Sequence, residues 1–191
     1  MLSAPAAADT LHDCYQTADP RLEVIACETL LSAGGLDDGK LARVHTGHGV
    51  GLLNLGRIDE SIAAHNAALA LIPDFAIALG NRGSAYNAKG DYAAAIADLD
   101  RAISLDPKRA GFYNSRAWAL YKRGDFDKAL SDADAALKLA PGKSGILDTR
   151  AHIQEALGET GLAIADYRAV LAADPNAAEA IAGLARLGAG P

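Results

Sequence analysis

Three histidines near the start of the sequence have types and spacing that could hold a metal ion. His45 and His48 are one helical turn apart, and His65 lies on the next predicted helix. In a helical hairpin the three imidazoles could converge, and imidazole nitrogens bind zinc and copper. No cysteine or carboxylate obviously completes the set. The alternative is that the rings are buried packing residues, and we favour this over a metal site.

A second set of residues places an arginine sixteen positions before an aspartate. Thirty-four positions before the first of these pairs, His48 and Ala64 occupy the corresponding places, so arginine and aspartate are absent together. This joint presence and absence favours ion pairs within each segment over pairs between segments. We interpret them as structural pairs, in which loss of one partner leaves the other charge unpaired. The pairs are Arg82 with Asp98, Arg116 with Asp132, and Arg150 with Asp166.

Patterns typical of enzymes are missing from the sequence. The glycines do not form a phosphate-binding loop, and no Ser/His/Asp or Cys/His set stands in a recognisable nucleophile context. Carboxylates are spread one turn away from lysines and arginines, as on solvated helix faces. We therefore expect no catalytic residues and no cofactor.

The elements that position these residues repeat every 34 positions, which is typical of stacked supersecondary units rather than a central core. The prolines with this spacing are Pro73, Pro107, Pro141 and Pro175. The glycines with the same spacing are Gly56, Gly90, Gly124 and Gly158.

Residues 81–107 show the logic of one repeat. A helix ends at Gly90, a residue suited to a left-handed conformation, and Asp91 can cap a second, amphipathic helix that ends at Pro107. One repeat is therefore a helical hairpin. Small residues recur where its helices must cross, and a bulky side chain there would force them apart. They are Gly49, Gly83, Ala117 and Ala151 on the first helices, and Ser61, Ala95, Ala129 and Ala163 on the second.

At these positions the sequence resembles the tetratricopeptide repeat family. The period, the pair Gly83 and Tyr86, and Ala95, Ala102 and Pro107 match the sparse signature of that family. The resemblance implies an all-α, right-handed superhelical solenoid with four repeats at 42–75, 76–109, 110–143 and 144–177. Leu52 and Gln154 depart locally from the Tyr86 type.

The resemblance also implies a concave groove lined by the first helix of each hairpin. The chain would then be a non-catalytic scaffold or adaptor for a peptide or protein, although Trp118 could instead pack against a neighbouring hairpin. The favoured ligand-binding residues are Asn81, Ser84, Asn87, Asn114, Trp118, Tyr121 and His152. Other implied groove positions are Arg43, Thr46, Val50, Leu53, Asn54, Ile77, Lys122, Asp148 and Glu155.

Two other functions remain as alternatives. One is a metal-binding or accessory subunit built on the histidines, and the other is self-association through the ends of the stack.

The cationic clamp that some relatives use for carboxylate tails is not reproduced. Only Asn81 fits it, and a chaperone C-terminus is therefore a disfavoured partner. The clamp positions that differ hold Thr46, Val50, Gly111 and Ser115.

The N-terminal region, residues 9–41, is predicted to form a divergent hairpin followed by a loop over 32–40. If residues 10–18 and 21–32 are antiparallel helices, Cys14 and Cys27 come level and could form a disulfide; two buried free thiols are the alternative. The segment around Cys27 resembles exported bacterial relatives. Residues 1–8 fit either a mature exported chain or a flexible tail, so we expect a periplasmic or secreted protein, with a cytoplasmic one as the alternative.

Composition and the C-terminus complete these expectations. The net charge is −6 and lysines and arginines do not cluster, so we expect no nucleic-acid partner. No apolar run is long enough to predict a membrane span. Residues 178–191 should form a capping helix and tail, with Ile181, Leu184 and Leu187 facing the stack.

Overall fold

The computed structural model describes Cys14 and residues 19–190, and these residues contain helices and no strand. The chain divides into two compact units, residues 1–105 and 106–191. The predicted tail at 1–8 and, apart from Cys14, the predicted helix at 10–18 lie outside the described residues. The observed architecture is the all-α helical repeat that the sequence predicts. None of the helices described is both long and apolar enough to cross a membrane.

The first unit is built by stacking consecutive helices. Each of them packs on the next along the chain, and α2 also contacts α4, so the hairpins lie side by side. The helices described in this unit are α1 (Pro20–Ala33), α2 (Asp38–Asn54), α3 (Ile58–Leu71), α4 (Ala76–Lys89) and α5 (Tyr92–Leu105).

The second unit has the same arrangement. Consecutive helices are in contact, and α8 touches both α6 and α10. The helices described here are α6 (Ala110–Arg123), α7 (Phe126–Leu139), α8 (Ser144–Ala156), α9 (Thr160–Ala173) and α10 (Ala178–Arg186).

The loop before the first repeat is shorter than predicted. We expected it over 32–40, but α2 already begins at Asp38. The side chain of Asp37 accepts a hydrogen bond of 2.8 Å from the backbone N–H of Lys40 and so caps this helix. The capping aspartate starts the helix four residues before the periodic segment at Ala42.

Turns within the hairpins use a left-handed glycine. Gly90 has φ 84° and ends α4, and the N–H of Asp91 then donates to the carbonyl oxygen of Tyr86 at 3.0 Å. Asp91 in turn accepts from the N–H of Ala94 at 3.1 Å. One glycine therefore closes the first helix and places the cap of the second.

Close helix crossings depend on the small residues that recur with the period. A Cβ atom added to Gly83 would lie 2.7 Å from Cγ of Leu99, and one added to Gly49 would lie 2.5 Å from Cε1 of His65. Ser61 donates a 2.6 Å hydrogen bond to the carbonyl oxygen of Gly49. Every residue of the predicted crossing set is buried.

The terminal helix α10 covers the second unit with a narrower face than predicted. Leu184 is buried and Leu187 packs partly against the same cluster, but Ile181 is 47% exposed, so its prediction was wrong. The contact is set by Gly183, where a Cβ atom would lie 2.4 Å from Cζ of Tyr167. With Gly183 and Leu184 at the contact, Ile181 points to the side of the helix.

We predict that Gly83→Ala destabilises the first unit by about 1–3 kcal/mol, because the added methyl group overlaps Leu99. Gly111→Ala is the matched control, since nothing lies within 4 Å of its added Cβ atom. It should be neutral or slightly stabilising. Urea unfolding followed by circular dichroism gives both values, and equal effects of the two substitutions would contradict the crossing argument.

Candidate functional site

The predicted arginine and aspartate pairs form bidentate salt bridges between the two helices of a hairpin. Nε of Arg82 lies 2.7 Å from Oδ2 of Asp98, and Nη2 lies 2.7 Å from Oδ1. Arg116 meets Asp132 in the same way, at 2.7 Å for both bonds. Such parallel bonds fix the orientation of both planes.

The last pair shows how the arginines also join neighbouring repeats. Arg150 reaches Asp166 at 2.7 and 2.9 Å, and its Nη1 lies 2.9 Å from Oδ1 of Asp134 on the preceding second helix. Hydrogen bonding to Asp166 raises the pKa of Arg150. Because its guanidinium group is held charged between two helices, we assign Arg150 to the structural frame, meaning the packed helices of the repeats, and not to proton transfer.

The three predicted histidines are not arranged as a metal site. Among the residues that the structure describes, no group of three or more His, Cys, Asp or Glu side chains could hold a metal ion. His65 is fully buried against Gly49, whereas Nε2 of His48 lies 3.6 Å from a carboxylate oxygen of Glu28. The convergence that the sequence allowed is therefore not found, and the metal hypothesis gains no support.

His65 is instead a buried base. Neither of its ring nitrogens has a hydrogen-bond partner among the residues that the structure describes. Burial, together with the positive charge of Arg82, lowers the pKa of His65 to about 4. Burial also lowers the pKa values of His45 and His48. The folded first unit consequently disfavours the protonated imidazoles.

We predict that acid destabilises the first unit through His65. Its pKa is lower in the folded state than the ordinary 6.5, so the unfolded chain binds the proton first as the pH falls. The stability should drop by roughly 3 kcal/mol between about pH 6.5 and pH 4. His65→Leu should remove this part of the pH dependence, because Leu99 occupies the corresponding position against Gly83.

Urea unfolding at pH 7.5, 6 and 5 measures this dependence. His45→Gln is the control, since His45 keeps part of its surface exposed and should change the slope less. A His65→Leu protein with the wild-type pH slope would contradict the assignment.

An aromatic cluster on the second unit contains three of the predicted ligand-binding residues. Trp118 and Tyr121, one turn apart on α6, have ring centroids 5.4 Å apart. His152 on α8 meets Trp118 edge-on at 6.0 Å and Tyr121 at 6.2 Å. Lys122 places its ammonium nitrogen 5.6 Å from the centre of the Trp118 ring. We call Trp118, Tyr121 and His152 the aromatic cluster.

Contacts with Asp148 and Tyr167 hold the His152 ring of the aromatic cluster in place. Nδ1 of His152 lies 2.9 Å from the carbonyl oxygen of Asp148, which fixes the ring. Tyr167 is fully buried; its ring lies 5.5 Å from that of His152 and its hydroxyl donates to Glu155 at 2.9 Å. Burial raises the pKa of Tyr167, so this hydroxyl stays a donor. The His152 ring is therefore preorganised.

A cavity of about 410 Å³ opens beside the aromatic cluster. Tyr121 and His152 form one side, and the ion pair of Glu155 with Arg186 forms another. The two bonds of this pair measure 2.9 and 3.0 Å, and they tie α10 to α8. Rings beside a charged rim can take up both the apolar and the polar parts of a ligand.

The predicted amide and hydroxyl residues are distributed more widely. In the first unit, Asn81 lines a second cavity, whereas Ser84 donates to the carbonyl oxygen of Gly80 at 3.2 Å. Asn87 is half-buried near the end of α4. On α6, Asn114 keeps a buried Oδ1 atom without a hydrogen bond among the described residues. Only Asn81 of these four lines a described cavity.

Sequence reasoning missed several residues that line the two cavities. Glu23 and Phe75 belong to the cavity of the first unit, and Arg186 belongs to that of the second. A signal for Glu23 was present, because it shares the buried stripe of α1 with Cys27 and Leu30. Arg186 gave no such signal, since its contact with Glu155 spans 31 positions.

Three family models, each described as a tetratricopeptide repeat, match the sequence at residues 76–109, 110–143 and 145–177. No curated protein matches it. A thermophilic tetratricopeptide repeat protein of Thermus thermophilus has a similar structure, with a TM-score of 0.77 and 20% identity over 95% of this chain and 98% of that one.

Two further solved structures are similar. MamA of Desulfovibrio magneticus RS-1, from residue 41 to its end, gives a TM-score of 0.70 and 16% identity over 90% of this chain and 95% of that one. The first repeat domain of Spaghetti (RPAP3), bound to the HSP90 peptide SRMEEVD, gives 0.60 and 25% over 65% and 99%. Because the family models match more than half of the sequence, in step with its 34-residue period, this chain belongs to the tetratricopeptide repeat family.

Proposed function

We propose that this chain is a non-catalytic interaction scaffold that holds a peptide or protein segment against the first helices of its repeats. The observation that carries the proposal is the aromatic cluster of the second unit. Its three rings are only half-buried, although they contact one another, and those of Tyr121 and His152 border a cavity. Rigid aromatic side chains at a concave surface are typical anchors of a binding site.

The packing of Trp118 supports this proposal rather than competing with it. Trp118 contacts His152 of the next repeat, yet it keeps part of its surface exposed. A ring that its neighbours already hold loses little conformational entropy when a ligand covers its remaining face. Packing and binding are therefore compatible at this residue.

A peptide is the favoured ligand class, because tetratricopeptide repeats are known as protein-interaction modules. The similar domain of Spaghetti was solved with a peptide bound. This chain has no cation at three of the family's clamp positions (Thr46, Gly111 and Ser115) and no amide at a fourth (Val50), so an acidic tail of that kind is not the expected ligand. Aromatic and amide side chains suit the backbone and apolar side chains of an extended segment.

The electrostatics of the cavity in the second unit support a non-catalytic role. Glu155 is the carboxylate at its edge, and its oxygens accept bonds from Arg186 and Tyr167. The bond from Arg186 lowers the pKa of Glu155 below its ordinary value. General acid–base catalysis at neutral pH is most effective with a pKa near 7, so Glu155 is poorly suited to it.

We predict that Trp118→Ala/Tyr121→Ala abolishes partner binding without unfolding the protein. The test is affinity capture from the native host with wild type and variant of equal helicity, followed by mapping of captured partners with peptide arrays. Tyr113→Ala is the matched control, because Tyr113 lies on the same helix but stacks on Arg116.

Binding can be followed directly, since Trp118 is the only tryptophan of the chain. A mapped peptide should change the fluorescence of Trp118 in the wild type and in the Tyr113→Ala variant. The same peptide should bind at least about tenfold more weakly to the Tyr121→Ala variant. Equal partner retention by wild type and double variant would refute this binding site.

We also propose that Cys14 and Cys27 form a disulfide and that the protein works in an oxidising compartment, the periplasm or the exterior of the cell. The two Cα atoms lie 4.8 Å apart, and both side chains are fully buried beside Leu30 and Val44. A separation of this size suits a disulfide, and such bonds persist in oxidising compartments.

Protein isolated from its native host should show no reactive thiol under denaturing conditions and two thiols after reduction. Reduction should destabilise the first unit by about 3 kcal/mol, whereas a Cys14→Ala/Cys27→Ala variant should not respond to the reductant. Two thiols detected without reductant would refute both the bond and the argument for an oxidising compartment.

A further inference from the structure

A cavity of about 430 Å³ in the first unit has a composition different from that of the aromatic cluster. It is lined by residues of α1, α2 and α4 and by Phe75, which precedes α4; Val50, Phe75 and Ile77 are apolar lining residues. Asn81 adds an amide, and Glu23 adds a carboxylate. Glu23 comes from α1, which lies outside the four repeats, so the repeating helices alone do not form this cavity.

The position of Glu23 is unusual for a charged side chain. Only 6% of its surface is exposed, and its Oε2 atom lies 3.4 Å from where a Cβ atom of Gly51 would stand. No ion pair or hydrogen bond to this carboxylate is found among the described residues. Burial raises the pKa of Glu23. A buried carboxylate without a partner is costly, unless a ligand supplies the missing charge.

A cationic residue that lines the same cavity does not act as the counter-ion of Glu23. Arg43 also lines the cavity, but its side chain is exposed and no ion pair joins it to Glu23. The absence of Cβ at Gly51 allows the carboxylate to remain pressed against α2. The cavity thus combines an unpaired negative charge with an exposed cation that does not neutralise it.

The other lining residues fit a long cationic side chain. Lysine and arginine bury their methylene stems along apolar surfaces while their charged ends seek polar partners. Val50, Phe75 and Ile77 offer such a surface, and the amide oxygen of Asn81 can accept a further hydrogen bond. Shape and charge therefore favour the same ligand.

We propose that this cavity binds a lysine or arginine side chain of a peptide partner, with the Glu23 carboxylate as its counter-ion. The inference rests on the proposed function in one respect, that a peptide carries the cation. It adds a charge preference opposite to that of a cationic clamp for acidic tails. Basic segments are the partners expected to occupy the first unit.

The test is an NMR titration of the full chain with Nα-acetyl-lysine N-methylamide and, separately, with the arginine equivalent. The uncharged control is the norleucine equivalent, which keeps the stem and lacks the charge. We expect saturable shifts of the Val50 and Ile77 methyl groups and the Asn81 amide with at least one cationic probe. The norleucine probe should bind at least about tenfold more weakly.

Glu23→Gln keeps the shape of the side chain and removes its charge, so it should weaken binding of the cationic probe about tenfold or more. Glu28→Gln, an exposed position on the same helix, is the matched control and should bind like the wild type. Arg43→Ala gives an independent check, because removal of the nearby positive charge should leave cation binding equal or stronger.

Three results would overturn the inference: no saturable shift with either cationic probe, equal binding of the norleucine probe, or binding that Glu23→Gln leaves unchanged. These results do not depend on peptide capture by the aromatic cluster. A failure of the proposed function would appear instead in the Trp118→Ala/Tyr121→Ala comparison.

Discussion

The close approach of two helices within each hairpin is the constraint on which the rest of this structure depends. At Gly83 a single added carbon would overlap Leu99, and Gly49 faces His65 in the same way; Gly183 faces Tyr167 similarly where α10 packs on the last hairpin. Because the crossings admit only very small side chains, the two helices of a hairpin are held close together. The arginine–aspartate pairs can then span the hairpins with both of their bonds near 2.7–2.9 Å. A wider crossing would separate these partners.

The same constraint explains how the hairpin of α2 and α3 encloses a histidine. The imidazole of His65 fills the space over Gly49, and its ring nitrogens have no hydrogen-bond partner among the described residues. Burial in this crossing lowers the pKa of His65 far below the ordinary value. The residue types suggested metal binding, but a metal ligand needs a nitrogen that other ligands can approach, and the crossing encloses both nitrogens of His65.

Once the frame is fixed, the residues outside it are free to differ between the two units. The second unit exposes rings braced by the Glu155, Tyr167 and Arg186 network, and the first unit exposes an apolar cavity with one buried carboxylate. Both surfaces use the first helices of hairpins together with a helix outside the four repeats, α1 in the first unit and α10 in the second. Each of these two helices therefore supplies a charged residue to a cavity, Glu23 from α1 and Arg186 from α10.

The sequence by itself determined the helical hairpins, their 34-residue period and the positions of the small residues, because these follow from local capping and spacing. It also indicated the aspartate partner of each arginine within its own hairpin, since joint presence and absence report on contacts, but not the additional contact of Arg150 with Asp134. The tertiary structure alone decided which polar groups are buried. It placed Glu23 in a cavity, joined Arg186 to Glu155 and left Ile181 exposed. These outcomes depend on packing between helices distant in the chain or at its ends, where no repeat supplies a second copy to compare.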